Sequence, residues 1–233
     1  MRVTPAVVIV PFLVLLLTWL SLRAIDPGAE LFDIALGELD RFSTLENALY
    51  RDVFTARSGT LRNYDPLVRE IKALHGSLAR LRETAAIDSE TTAALNQLVT
   101  SVDRQEELVE QFKSDNSLLR NSLAYFAEFS GRLGNPSLDT SSSQQVSALG
   151  AAILRLSLDT TPATANEVQD RLDTLFRQNE PASDDEAIRA LVAHGRLLQH
   201  LLPATDSLVK SLAAAPETRD LDVLRALALR EQS

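Results

Sequence analysis

Two polar strings interrupt a sequence that otherwise has the apolar spacing of amphipathic helices. The first, ARSGTLRNYDPLV, covers residues 56–68, and the second, FKSDNSLLRNSLAYF, covers residues 112–126. Both contain the tripeptide Leu-Arg-Asn, so each offers a guanidinium beside an amide. These groups donate hydrogen bonds to carboxylates and similar anions, and the guanidinium is suited to bidentate contacts. The chemistry that the strings indicate is therefore the binding of a small anion.

Eight residues of the two strings are the candidate ligand-binding residues. They are Arg57, Arg62, Asn63, Tyr64, Lys113, Asn116, Arg120 and Asn121. They form one pocket only if the fold brings the first string beside the helix that carries the second. A structural interpretation stays open, in which Asn116 sets the register of a helical seam while Lys113 and Arg120 extend to solvent. Asp65 and Pro66 are explained by a helix start, as N-cap and first helical residue.

Enzymatic chemistry finds no support in the sequence. There are no cysteines and 3 histidines, and a nucleotide-binding glycine loop, a nucleophile elbow and a metalloprotease motif are all missing. His194 and His200 are six residues apart, about 240° around a helix, so they do not share a face for metal binding. We predict a protein that is not an enzyme and that needs no cofactor and no metal.

The elements that must position the two strings are helices. Aromatic residues make up 5% of the chain, with 8 glycines and 9 prolines, whereas residues with high helix propensity dominate. One helix stands out for its length, because seam residues recur alternately every three and four positions over about 40 residues. These residues are Leu95, Leu98, Val102, Gln105, Val109, Phe112, Asn116, Leu119, Leu123, Phe126, Ser130 and Leu133. Since such a helix is about 60 Å long, we predict an elongated domain.

The pattern along the rest of the chain predicts one all-α domain over residues 29–215. Its helices should form an elongated antiparallel bundle, arranged as two stacked bundles that share the long helices. Three features are expected to shape the second half: Pro162 opens a helix, Gly195 permits a close helix approach, and Pro203 kinks a helix. Residues 217–233 are predicted to begin a helix that leads back to the membrane. A helical solenoid is the alternative architecture, although no strict repeat supports it.

The N-terminus carries the signal for location. Residues 3–22 contain no charge and are long enough, about 30 Å as a helix, to span a bilayer as a transmembrane anchor. A cleaved signal peptide is disfavoured because the segment lacks a small-residue cleavage site. Without Arg2 and Arg23 the 23 basic residues fall to 21 against 32 acidic ones, a net charge of −11 for the rest of the chain. Anionic lipid and nucleic acid would repel this domain, so we place it outside the cytoplasm.

The two polar strings resemble the signature stretches of the DAHL domain, an all-helical extracytoplasmic sensor region of bacterial histidine kinases and related signalling proteins. The resemblance spans roughly residues 30–230. It implies a periplasmic sensor in the bacterial inner membrane, flanked by a transmembrane helix on each side. The second such helix and the transmitter are missing from these 233 residues, so we expect either a fragment or a chain with a separate signalling partner.

The sequence thus predicts the ligand-binding, extracytoplasmic region of a membrane signalling protein. The expected partners are the membrane, a small anionic ligand and a second copy of the chain, paired through the first or last helix, but no nucleic acid. The alternative is a membrane-anchored structural coiled coil or helical bundle without ligand, which would not need the polar strings. A metal or redox bundle is a third class, for which the ligands are missing.

Overall fold

The computed structural model describes residues 12–19, 27–84, 89–133, 140–178, 186–214 and 217–231. Within these ranges the chain is all-helical and contains no strand, which confirms the predicted class. Residues 12–19 form helix α1. The other helices are α2 (Pro27–Arg57), α3 (Asp65–Thr84), α4 (Ser89–Leu133), α5 (Thr140–Leu158), α6 (Pro162–Gln178), α7 (Glu186–Ala213) and α8 (Glu217–Glu231).

The predicted membrane anchor, residues 3–22, lies outside the described residues except for the helical stretch 12–19. Among the helices that the structure describes, none combines the length and the apolar character that crossing a bilayer requires.

The described chain divides into two compact units. Unit 1 takes residues 1–44, 74–99 and 217–233, and unit 2 takes residues 45–73 and 100–216. Helices α2, α3 and α4 therefore contribute residues to both units. The elongated shape of the domain and the stacking of two bundles remain predictions from the sequence.

Unit 1 is held by a leucine-rich core and by polar contacts between its helices. Its buried apolar residues include Leu39, Phe42, Leu74, Leu78, Leu81, Leu95, Leu98, Leu221, Leu224 and Leu227. Helix α8 is joined to α2 by the ion pair of Arg225 with Asp40, at 2.7 Å, and to α4 by that of Arg230 with Glu90, at 3.1 Å. These exposed pairs contribute little energy, so the leucines supply most of the stability.

The long helix α4 has 45 residues, and its buried face follows the predicted seam closely. The seam departs from the prediction at one point, where Ser122 is buried at 2% exposure and Leu123 is 37% exposed. Burial thus steps by three residues from Leu119 to Ser122 and by four from there to Phe126, an order of steps that a straight helix of 3.6 residues per turn permits. At the end of α4, Ser130 and Leu133 are only half-buried.

Helices α5, α6 and α7 pack around an apolar cluster in unit 2. Its members include Val146, Leu149, Ile153, Leu156, Val168, Leu172, Leu175, Leu191, Leu198 and Leu202, with Leu119 and Phe126 from α4. The predicted close approach is present at Gly195, where an added Cβ would lie 2.6 Å from Cδ2 of Leu172 on α6. Thr161 caps α6, since its hydroxyl accepts from the Thr164 amide at 3.4 Å. Pro203 lies inside α7, and the kink stays a prediction.

Candidate functional site

The end of α2 fixes the direction of the segment that joins it to α3, residues 58–64, here called the connector. Gly59 adopts φ 81°, a left-handed conformation that suits glycine. The Gly59 amide donates to the Ala56 carbonyl and the Thr60 amide to the Thr55 carbonyl, both at 3.1 Å. This is the Schellman arrangement, which satisfies carbonyls that a helix end would leave unpaired. The Leu61 amide also donates to Thr55, at 3.0 Å, so the first half of the connector is ordered by local hydrogen bonds.

The connector lies against α4, as the anion-site hypothesis requires. Asn116 is fully buried, and its Nδ2 donates to the Ala56 carbonyl at 3.1 Å and to the Tyr64 hydroxyl at 3.0 Å. Arg120 donates from Nη1 to the Leu61 carbonyl at 3.1 Å. We call these five residues, Ala56, Leu61, Tyr64, Asn116 and Arg120, the connector site.

An aromatic contact supports the connector site. The Tyr64 ring packs edge-on against Phe112 of α4, with ring centroids 6.4 Å apart and an interplanar angle of 88°. Phe112 is fully buried, so it holds the tyrosine in a fixed orientation over α4. The sequence analysis predicted Phe112 as a seam residue of the long helix but did not include it among the candidate ligand-binding residues. The two backbone carbonyls were missed altogether, because side-chain types carry no signal for a backbone acceptor.

Two of the predicted cations are neutralised by carboxylates. Arg57 donates from Nε to Oδ1 of Asp206 on α7 at 2.8 Å, and the pair is largely buried. Lys113 bonds to Glu110 at 2.7 Å, one turn earlier on α4. The shared pocket that would include both cations stays a prediction. The Glu110 pairing had a sequence signal in its three-residue spacing, whereas Asp206 had none.

Three further candidates, Arg62, Asn63 and Asn121, make no hydrogen bond to the connector site among the described residues. Asn63 forms a local turn, in which its Oδ1 accepts from the Asp65 amide at 2.8 Å and its Nδ2 donates to the Asp65 carboxylate at 2.6 Å. Arg62 and Asn121 are exposed, and no described residue bonds to either side chain. Helix α3 begins at Asp65, one residue earlier than predicted, and the Tyr64 carbonyl accepts its first backbone bond from Val68 at 3.3 Å.

A second amide on α4 repeats the arrangement of Asn116. Gln105 is 1% exposed and donates from Nε2 to the Tyr50 hydroxyl at 3.1 Å and to Glu46 at 3.4 Å. In both amides the carbonyl oxygen, Oε1 of Gln105 and Oδ1 of Asn116, is buried without a partner among the described residues. A buried acceptor without a donor destabilises the folded protein. A hydrogen-bond donor that reached either oxygen would therefore bind favourably.

A carboxyl pair lies where α2 and α3 meet in unit 2. Burial, together with the charge of the neighbouring Asp52 carboxyl and a hydrogen bond to it, raises the pKa of Glu70 to about 7. Arg51 and Arg69 act in the opposite direction. Oε2 of Glu70 is buried and has no hydrogen-bond partner within the part of the chain that the structure describes. At neutral pH Glu70 therefore exists partly in its protonated form, in which it can share a hydrogen with Asp52.

Unit 1 contains a polar cluster whose groups are paired with one another. Glu38 on α2 receives hydrogen bonds from Ser77 at 2.8 Å and from two nitrogens of Arg80, at 2.8 and 2.9 Å, both on α3. The Arg80 guanidinium holds the pKa of Glu38 below its ordinary value. A cluster of this kind joins two helices and offers little to a ligand.

His194 lies in an aromatic setting. Its ring stacks on Tyr125, with centroids 4.9 Å apart, and lies 6.4 Å from that of Phe129. Within the described ranges, no group of three or more His, Asp and Glu side chains is placed to hold a metal ion. The contacts of His194 are those of a packed side chain.

The geometry of the connector site thus joins both polar strings of the sequence, ARSGTLRNYDPLV through Tyr64 and FKSDNSLLRNSLAYF through Asn116 and Arg120. A comparison with protein families agrees with the resemblance seen in those strings. The family model of the DAHL domain matches residues 27–233, which is nearly the whole chain. The chain belongs to the DAHL domain family, and its described helices form a sensor-type signalling domain.

Proposed function

We propose that this chain is the extracytoplasmic, ligand-sensing region of a bacterial membrane signalling protein of the histidine-kinase type, and that the connector site binds a small organic anion. One observation supports the site above all. The connector and α4 meet through Tyr64, Asn116 and Arg120, and two of these side chains keep donors that no described residue uses.

Those donors belong to Arg120 and Tyr64. Arg120 bonds to Leu61 through Nη1 and retains Nε–H and the Nη2 hydrogens. The Tyr64 hydroxyl accepts from Asn116 and retains its own hydrogen. Because Arg57 and Lys113 are paired with carboxylates, Arg120 is the cation that the proposal assigns to the anion. Arg62, exposed on the connector, is assigned only to the attraction of the ligand from solvent.

The test is a thermal-shift screen of small organic anions on the full chain in detergent micelles. A ligand that contacts Arg120 should raise the melting temperature of the wild type, and Arg120→Ala should weaken binding about ten- to a hundredfold, since a charge-assisted contact contributes about 1.5–3 kcal/mol. Arg104→Ala is the matched control, because it removes an exposed cation from the same helix. The proposal fails if the control loses as much affinity as Arg120→Ala.

A structural role without ligand is the competing function, and one observation favours it. Asn116 and Arg120 both donate to backbone carbonyls, of Ala56 and Leu61, so they also dock the connector on α4. If docking were their only role, Arg120→Ala would lower the melting temperature while no anion raised that of the wild type. The same screen therefore decides between sensor and scaffold.

The proposed location rests on residues 3–22 as an anchor and on the acidic remainder of the chain. We propose that the helical domain lies in the periplasm, that two copies pair through α2 or α8, and that a separate or following transmitter receives the signal. The location is tested by fusing, directly after Ser233, a reporter enzyme that works only in the cytoplasm. Measured activity of this reporter would contradict an external domain. Light scattering of the purified chain tests the dimer.

A further inference from the structure

The unpaired oxygen of Asn116 constrains what the connector site can bind. Asn116 is 0% exposed, and no described residue donates to its Oδ1. The orientation of the amide is set by its partners, because the Ala56 carbonyl is purely an acceptor and must face Nδ2. Oδ1 is therefore a true acceptor that requires a donor from elsewhere.

The unused groups of the site have both polarities. Arg120 and Tyr64 retain hydrogens to donate, and Asn116 retains an oxygen to accept. Asn116 and Arg120 are four residues apart on α4, so their Cβ atoms are about 5–6 Å from each other. A ligand that contacts both side chains therefore has to be small.

A simple carboxylate matches only part of this arrangement. It pairs with Arg120 but leaves Oδ1 of Asn116 without a donor, and its own oxygens are repelled by that oxygen. A simple amine can donate to Oδ1 of Asn116, but its positive charge is repelled by the Arg120 guanidinium. A molecule that carries an ammonium group beside a carboxylate satisfies both groups, because the carboxylate pairs with Arg120 and the ammonium group donates to Oδ1 of Asn116.

We propose that the connector site binds a zwitterion of the α-amino-acid type, with its carboxylate on Arg120 and Tyr64 and its ammonium group on Oδ1 of Asn116. This inference rests on the proposed sensory function and narrows the ligand class from small anions to compounds that also donate N–H. The ligand also ties the connector, through Tyr64, to α4.

The experiment compares matched pairs of compounds on the full chain in detergent micelles, by thermal shift and calorimetric titration. Each amino acid is paired with the acid of the same skeleton that lacks the amino group: glycine with acetate, L-alanine with propionate, and L-glutamate with glutarate. We expect at least one amino acid to raise the melting temperature and to bind at least about tenfold more tightly than its partner acid. This comparison uses the wild type and so does not depend on the folding of any variant.

Two variants assign the effect to Asn116. Asn116→Leu removes the unpaired oxygen at similar volume, so the preference for the amino acid over its partner acid should disappear. Gln105→Leu is the matched control, since it removes an equally buried and equally unpaired oxygen about three turns away on the same face of α4. It should keep the preference.

Each result has one meaning. If an acid binds and no amino acid binds more tightly than its partner acid, the zwitterion inference is overturned and the proposed anion sensor stands. If no compound of either kind binds, both fail and Asn116 is a packing residue. If Gln105→Leu abolishes the preference as fully as Asn116→Leu, the assignment to the connector site is overturned.

Discussion

Unit 2 contains two regions of opposite chemistry. The cluster of α5, α6 and α7 is built from apolar side chains, such as Leu172 and Leu198, that are fully buried. The packing of α2 and the connector on α4 includes the buried amides Asn116 and Gln105 at seam positions. The comparison teaches that burial alone does not mark a structural core. The first region buries mainly leucines, although Nδ1 of His194 on α7 is also buried without a hydrogen-bond partner among the described residues. The second region places two amide oxygens, of Gln105 and Asn116, in the same state within the seam of α4.

The largest expected effect belongs to the apolar region. Leu172 is fully buried and contacts Gly195, so Leu172→Ala should lower the free energy of unfolding by about 2–5 kcal/mol through lost burial and a new cavity. Urea unfolding followed by circular dichroism measures it. Leu154→Ala, at a position 62% exposed on α5, is the control and should change stability by less than about 0.5 kcal/mol. Equal losses would contradict the assigned core.

The contact of Gly195 with Leu172 gives the next effect. In the wild type, Gly195→Ala places a Cβ 2.6 Å from the leucine, an overpacking that costs about 1–3 kcal/mol and offsets the gain in helix propensity. In the Leu172→Ala background the clash is gone, so the same change should stabilise the protein by about 1 kcal/mol. A double-mutant cycle in urea that shows no coupling between the two positions would disprove the close contact.

The carboxyl pair tests the polar region through pH. The pKa of Glu70 is raised from 4.5 to about 7, so between these values the folded protein holds a proton that the unfolded chain has released. Stability therefore falls as pH rises through this window, and the cost is fully present above pH 7. Glu70→Gln removes the cost, so the variant should exceed the wild type by about 1 kcal/mol at pH 8, after allowance for solvent screening, and by less at pH 5.

The control for this pH effect is Glu107→Gln, at a side chain that is 70% exposed on α4. This variant removes an exposed carboxylate from α4, and the effect of Glu70→Gln between pH 5 and pH 8 should be the larger of the two. A Glu70→Gln difference that stays constant over the same range would show that Glu70 ionises normally and that the carboxyl pair does not form.

The smallest expected change in stability is at Asn116. This change distinguishes most directly between the apolar and the polar region of unit 2. Asn116→Leu loses two hydrogen bonds, which contribute about 0.5–1.5 kcal/mol each, but it also removes an unpaired buried oxygen that costs about 1–3 kcal/mol. The net change in unfolding free energy should stay below about 1 kcal/mol by urea titration. A loss as large as that of Leu172→Ala would mean that Asn116 belongs to the structural core.

Helix identity and burial could be predicted because they follow from local periodicity. The seam of α4 was predicted at nine buried positions, from Leu95 to Phe126, and failed at Leu123, where α4 buries Ser122 instead. That failure has a physical source. A three- or four-residue step places either neighbour on nearly the same face, and only the tertiary partners decide between them.

The site was predictable in outline but not in its pairings. Polar side chains without a local role indicated that the connector meets α4, and the contact of Tyr64 with Asn116 agrees. The partner of Arg57 was not predictable, because Asp206 is 149 residues away and has no motif that marks it. The local bond of Asn63 to the Asp65 amide was not predicted either, although a short amide can serve its own turn as readily as a ligand, and its contact with a ligand stays a prediction.

The Schellman turn at Gly59 also has a consequence for the order of folding. Its hydrogen bonds join residues at most six positions apart, so it closes at low entropic cost as soon as α2 is synthesised. The contacts of α4 with the connector follow, across 52 to 60 residues, whereas Arg57 must wait for Asp206. During translation the connector site is therefore expected to assemble while Arg57 is still uncompensated, and the arrival of α7 then removes that surplus charge.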